Sequence, residues 1–178
     1  NSLNKYSIYN VGYYYSDIGI IKYLNTSIKT EFSNNFGKLN LVFDYRKLFN
    51  SNRQFQARVY LGKFFWNNNK FDNFKYNLGR SGGYLFLDNY LGRSERTGLL
   101  SQQFIMAGGG FKSFFEDPTS NNFMLTSNLN IGIWKWIEGY LDLGTLKNKN
   151  EDPRYFYGTG IRLNLLPDFF ELYFPISS

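Results

Sequence analysis

The stretch Phe123–Ile133 alternates residue by residue. Phe123, Leu125, Leu129, Ile131 and Ile133 fall on one parity, together with Ser127, and Met124, Thr126, Asn128, Asn130 and Gly132 fall on the other. A β-strand sends successive side chains to opposite faces, whereas a helix would scatter this pattern around its axis. The same period runs through most of the chain. Leu24 and Ile28 oppose Lys29 and Glu31, and Leu39, Leu41 and Phe43 oppose Asp44 and Arg46. Val59 and Leu61 flank the parity of Arg58, and Leu141 opposes Glu138 and Asp142. Leu163 opposes Arg162, while Leu172 and Phe174 oppose Glu171. With further segments at 5–16, 74–91 and 102–111, the pattern predicts about ten strands joined by polar connections.

Alternation gives every strand an apolar and a polar face but does not say which points outward. A soluble sandwich or barrel turns the apolar face in. A membrane barrel turns it out to lipid and fills its lumen with polar groups. Three features favour the second arrangement. Aromatic residues gather at strand ends, at Tyr13 and Tyr15, Phe65 and Trp66, Trp134 and Trp136, and Tyr155. Rings with one polar edge settle at the headgroup level of a bilayer and form girdles there. The polar parity carries charges of both signs in mid-strand, suited to pairing across a narrow lumen: Lys29, Glu31, Asp44, Arg46, Arg58, Glu138, Asp142, Arg162 and Glu171. The strands also read as about 9–12 residues each, longer than the common length of about 5–6 and suited to a tilted crossing.

These features predict an all-β protein, an antiparallel up-and-down transmembrane β-barrel of about 8–10 strands. It would form a single domain over residues 1–178 in a bacterial outer membrane. The apolar parity would then face lipid: Leu24, Ile28, Leu39, Leu41, Phe43, Val59 and Leu61 in the first half, and Leu125, Leu129, Ile131, Leu141, Leu163, Leu172 and Phe174 in the second. No uncharged apolar window reaches the roughly 18 residues of a membrane helix. The mean hydropathy of −0.40 is compatible with crossing by strands, because alternation averages to a polar composition.

The chain contains no cysteine and no histidine. This removes disulfides, thiolate chemistry, histidine triads and zinc sites built on imidazole or thiolate. Glu138 and Asp142 share a strand parity and would suit acid–base work on a sugar, but lumen ion pairing is the simpler reading. Glu116–Asp117 and Glu151–Asp152 lack calcium-loop spacing. The glycines of 79–83 and 108–110 match no phosphate-binding fingerprint. No catalytic residue, metal ligand or cofactor is therefore predicted. Net charge is +6, which suits lipid phosphates and lipopolysaccharide. Nucleic acid is not expected as a partner, since the aromatic residues cluster at strand ends instead of interleaving with the cations. Leu-Gly-Arg-Ser occurs at Leu78–Ser81 and again at Leu91–Ser94. In a barrel these read as strand-end punctuation that leaves Arg80, Arg93 and Arg96 at the rim or in the lumen. Two other functions share the all-β pattern: a small outer-membrane transport pore, and a soluble carbohydrate-binding domain.

The stretch 79–104, the following Ala-Gly-Gly-Gly-Phe-Lys-Ser at 107–113, and Leu-Leu-Pro-Asp-Phe-Phe-Glu-Leu-Tyr-Phe-Pro at 165–175 carry a family likeness. Over residues 54–176 the chain resembles the C-terminal outer-membrane barrel region of gluzincin-type metallopeptidases of Bacteroidota. The resemblance implies a membrane anchor or scaffold that follows a peptidase portion and associates with other outer-membrane proteins. It also implies a closing strand beyond Ser178; the start at Asn1 and not at Met reads separately as that of a mature product or of an excised piece of something longer. The peptidase motif His-Glu-x-x-His has no counterpart in a chain without histidine, so no zinc ligand or catalytic base carries over.

Overall fold

A computed structural model describes residues 7–50, 53–68, 74–79, 90–91, 104–105, 108–166 and 170–178. The described residues contain no α-helix. Strands β1 (Tyr9–Ile18), β2 (Lys22–Phe32), β3 (Phe36–Asn50) and β4 (Arg53–Asn67) form an antiparallel meander. The chain then makes a long excursion containing four two-residue strands: β5 (Tyr76–Asn77), β6 (Tyr90–Leu91), β7 (Phe104–Ile105) and β8 (Thr119–Ser120). It returns as β9 (Phe123–Trp134), β10 (Ile137–Lys147), β11 (Arg154–Leu166) and β12 (Phe170–Ser177). The eight long strands form one antiparallel sheet in the order β1-β2-β3-β4-β9-β10-β11-β12. Among the described residues the sheet is open: β1 and β12 each pair with a single neighbour.

Two expected strands are seen only in part among the described residues. Where 102–111 reads as a strand, Phe104–Ile105 is the pairing among the described residues, and Gly108–Gly110 form a turn in which Gly110 has φ of 67°. Three successive residues without Cβ leave the backbone free to take that left-handed turn. Of the segment 74–91, Tyr76–Asn77 pairs with Thr119–Ser120 and Tyr90–Leu91 pairs with Phe104–Ile105. Residues 80–89 lie outside the described residues.

The described parts of the excursion at 74–79 and 108–122 pack on one face of the sheet, here the covered face. Phe36, Tyr60, Phe64, Met124 and Leu146 of the long strands meet Phe74, Tyr76, Leu78 and Phe111 of the excursion in one buried cluster. Glycines in the strands make this approach possible. A Cβ on Gly62 would lie 2.7 Å from the Tyr76 ring, and one on Gly144 would lie 2.9 Å from the Phe111 ring. Side chains are missing from those strand positions so that aromatic rings of the cover can sit against backbone.

Candidate functional site

The register sets one polar row across six strands of the covered face. Asn25 of β2 lies opposite Asp44 of β3, Asp44 opposite Arg58 of β4, and Arg58 opposite Asn128 of β9. Asn128 in turn faces Asp142 of β10, and Asp142 faces Gly158 of β11. Neighbours in such a row are close enough to bond side chain to side chain. The excursion bonds onto this row. Arg58 Nη1 donates to the carbonyl of Gly108 at 2.9 Å and to Asn128 Oδ1 at 3.2 Å. Asn128 Nδ2 donates to the carbonyls of Gly109 and Gly110, both at 3.2 Å, and to Asp142 Oδ1 at 2.9 Å. Lys112 supplies the missing cation: its Nζ sits 2.6 Å from Asp142 Oδ1. Exposed carbonyls of a glycine turn need donors once buried, and Arg58 and Asn128 are placed to give them.

A second cluster occupies the end of the covered face near the β9–β10 turn. Arg162 lies directly opposite Glu138 and its Nη1 is 3.3 Å from Glu138 Oε2. Arg162 also pairs with Glu171 and donates to Gln56 Oε1 at 3.0 Å. Glu138 Oε1 accepts from Gln54 Nε2 at 3.1 Å and from Asn164 Nδ2 at 2.9 Å. Glu171 accepts from the Tyr173 hydroxyl at 2.8 Å. A third cluster sits at the opposite end, where Lys29 and Lys38 approach Glu31 at 2.6 and 2.8 Å. Each of these buried carboxylates has a cation beside it, the condition under which buried charge is tolerated.

Glu31, Glu138, Asp142 and Arg162 are buried, and Lys29, Asp44, Arg46, Arg58 and Glu171 are half-buried, all on the covered face by register. The apolar parity occupies the other face, here the open face. There Ile28, Phe43, Leu125, Ile131 and Leu141 are exposed. Leu24, Leu39, Leu41, Val59, Leu61, Leu129, Leu163, Leu172 and Phe174 are half-buried beside them. Tyr13, Tyr15, Phe65, Trp66, Trp134, Trp136 and Tyr155 are all exposed; the last five lie at or near strand ends, whereas Tyr13 and Tyr15 lie within β1, opposite Ile28 and Thr26 of β2, and not at the strand end the sequence suggested. Trp66 folds back on Gly37 and stacks on Phe32 with ring centroids 5.9 Å apart. Arg80, Arg93 and Arg96 lie outside the described residues.

Lys112 is the one participant that periodicity does not reveal. It lies in the irregular run after the glycines, and only its place between Phe111 and Ser113, both buried, marks it. Gln54, Gln56, Asn128 and Asn164 were visible as polar-parity residues, and their partners become visible only once the strands are paired. At the outer margin of the cover, Arg154 donates to the Asp117 and Thr119 carbonyls at 3.2 and 3.0 Å and to the Asp117 carboxylate at 3.2 Å. The Thr119 hydroxyl bonds that carboxylate at 2.9 Å. This hydrogen bond, aided by Arg154, holds the Asp117 carboxyl below the usual carboxylate range. Among the described residues no group of three His, Cys, Asp or Glu side chains gathers to hold a metal.

No family model matches this chain, and no curated protein or solved structure matches it. The arrangement must therefore be read from its own chemistry. The central polar row joins the sheet to its cover, the other two clusters join the long strands to one another, and the opposite parity is mostly apolar.

Proposed function

We propose that this chain is a membrane-embedded part of an outer-membrane β-barrel that serves as an anchor or scaffold, with lipid against its open face. One observation carries the reading. Arg162, Glu138 and Asp142 are 2%, 1% and 0% exposed, while Ile131 and Leu143 on the opposite parity are 55% and 44% exposed. In water both choices are unfavourable: burying charge costs several kcal/mol per ion before pairing, and exposed isoleucine and leucine forgo burial worth roughly 1.5–3 kcal/mol each. In lipid the second cost disappears and the first becomes an internal, paired lumen.

The lumen in this reading is filled. The cover brings Phe111, Leu78, Tyr76 and Lys112 onto the polar face, which favours an anchor over an open conduit. The anchored partner is a peptidase portion of the gluzincin type, as the sequence likeness implies. Lipid also imposes a closure requirement, since unpaired strand edges are not sustained in hydrocarbon. An interior of eight strands is just wide enough for side chains. Here the covered face holds backbone segments as well, so closure takes strands beyond these eight.

Fractionation of native cells tests the reading. The chain is expected in the outer-membrane fraction and released only by detergent, and reconstituted protein is expected to pass no steady unitary current in planar bilayers. Recovery in the aqueous phase would remove the membrane reading. A steady current would replace the anchor with a pore.

A further inference from the structure

Lys22 of β2 and Lys47 of β3 lie directly opposite one another. Both are exposed and both belong to the open face, two positions beyond Leu24 and Tyr45 on the same parity. Like charges at directly opposed positions of an antiparallel pair repel and weaken the sheet. No ion pair among the described residues joins either lysine to a carboxylate. The nearest carboxylate by register is Asp17, a diagonal neighbour opposite Leu24. The Lys22 ammonium leans over the Tyr45 ring at 5.9 Å.

The pair sits at the end of the sheet where the connections are short. At this same rim Arg53 lies over Phe49 at 5.7 Å and Lys135 over Trp134 at 5.3 Å. Cations perched on aromatic rings around a rim match the depth at which headgroup phosphates lie. The opposite rim differs. Its outward Lys63 is taken up by Asn122 Oδ1 at 2.7 Å, and Glu116, Asp117, Glu151 and Asp152 lie in its connections. The long-connection rim therefore carries charges of both signs, with Lys147, Lys149 and Arg154 beside these carboxylates.

On the membrane reading above, we infer that Lys22 and Lys47 together hold the phosphate of an anionic lipid headgroup, with its acyl chains along Leu24, Tyr45 and Phe43. A single phosphate between the two ammonium groups removes their repulsion. The apolar stripe directly behind them supplies what a free phosphate could not use.

The test compares wild type, Lys22→Gln, Lys47→Gln, the double variant, and Lys149→Gln at the other rim. Each is reconstituted into vesicles of phosphatidylcholine alone or of phosphatidylcholine mixed with phosphatidylglycerol. Lipid retained after extraction into detergent is read by native mass spectrometry. Wild type is expected to keep phosphatidylglycerol in preference to phosphatidylcholine. The preference should fall about fivefold for each lysine removed and about twenty-fivefold for both, from about 1 kcal/mol per surface cation. Lys149→Gln should leave it unchanged. Insertion into both vesicle types with equal retention of the two lipids would overturn the inference and leave the membrane reading standing. A double variant that keeps the preference would overturn it as well, as would displacement of the lipid by millimolar inorganic phosphate. Failure of wild type to insert into either vesicle would remove both.

Discussion

Lys112 of the excursion reaches Asp142 of β10 with Nζ 2.6 Å from Oδ1, and both side chains are buried. This contact links a segment with no periodic pattern to a strand of the sheet that alternation made visible. Removing one partner strands the other charge. Lys112→Ala is expected to destabilise the fold by about 3–5 kcal/mol, read as a shift of the unfolding midpoint in detergent. Replacing both, as Lys112→Met with Asp142→Leu, should recover most of that loss. A double variant as unstable as the single one would show that the pair is not the source of the cost.

The open face yields a substitution with opposite outcomes in water and lipid. Leu141 is 36% exposed at the middle of β10. Arginine at a half-exposed position in water should change stability by no more than about 0.5 kcal/mol. Against mid-bilayer lipid, Leu141→Arg should cost roughly 2–4 kcal/mol. Folding titrations into phosphatidylcholine vesicles distinguish the two, and a neutral substitution would count against lipid on this face.

The edges β1 and β12 run antiparallel to one another through the eight-strand order, so their direction permits direct pairing. The cover on the inner face makes it unfavourable on grounds of space. The chain has no cysteine of its own, and cysteine at Tyr13 can be combined in turn with cysteine at Leu172, Phe174 or Ile176. No disulfide within one chain is expected under mild oxidation. A high yield of such a bridge, seen as a mobility shift lost on reduction, would show that these eight strands close on themselves.

Acid should loosen the margin of the cover. The Asp117 carboxyl is held below its ordinary value by the Thr119 hydroxyl and then by Arg154. A group whose folded pKa is lowered adds stability above its unfolded value, near 3.9, and loses it as pH falls through the folded value. Protease cleavage between β4 and β9 should therefore rise below about pH 4, and Asp117→Asn should raise it at neutral pH and flatten that dependence. Equal cleavage of wild type across the range would show that this contact does not secure the cover.

The long strands were legible because each element's signal is local. The parity of Leu125, Leu129 and Ile131 against Asn128 and Asn130 needs no partner to be read. The two strands expected at 74–91 and 102–111 show the limit of that method. Aromatic and β-branched residues there carry the propensity of strands, yet Phe74, Tyr76 and Phe111 are used as ring contacts against Gly62, Gly144 and Phe36. Those rings pack against the sheet, and among the described residues the ladders of these segments are two-residue pairs. Nothing in the run Gly108–Ser113 announces that Lys112 will meet a carboxylate 30 positions away.

The sequence by itself determined that the chain is built of two-faced strands, because alternation is a property of each strand alone. Which face is covered was decided by tertiary structure. The excursion, carrying its own cation and a glycine turn whose carbonyls need donors, is satisfied only by the parity that bears Arg58, Asn128 and Asp142. The apolar parity offers no such row of paired donors and carboxylates, and it is the one turned away.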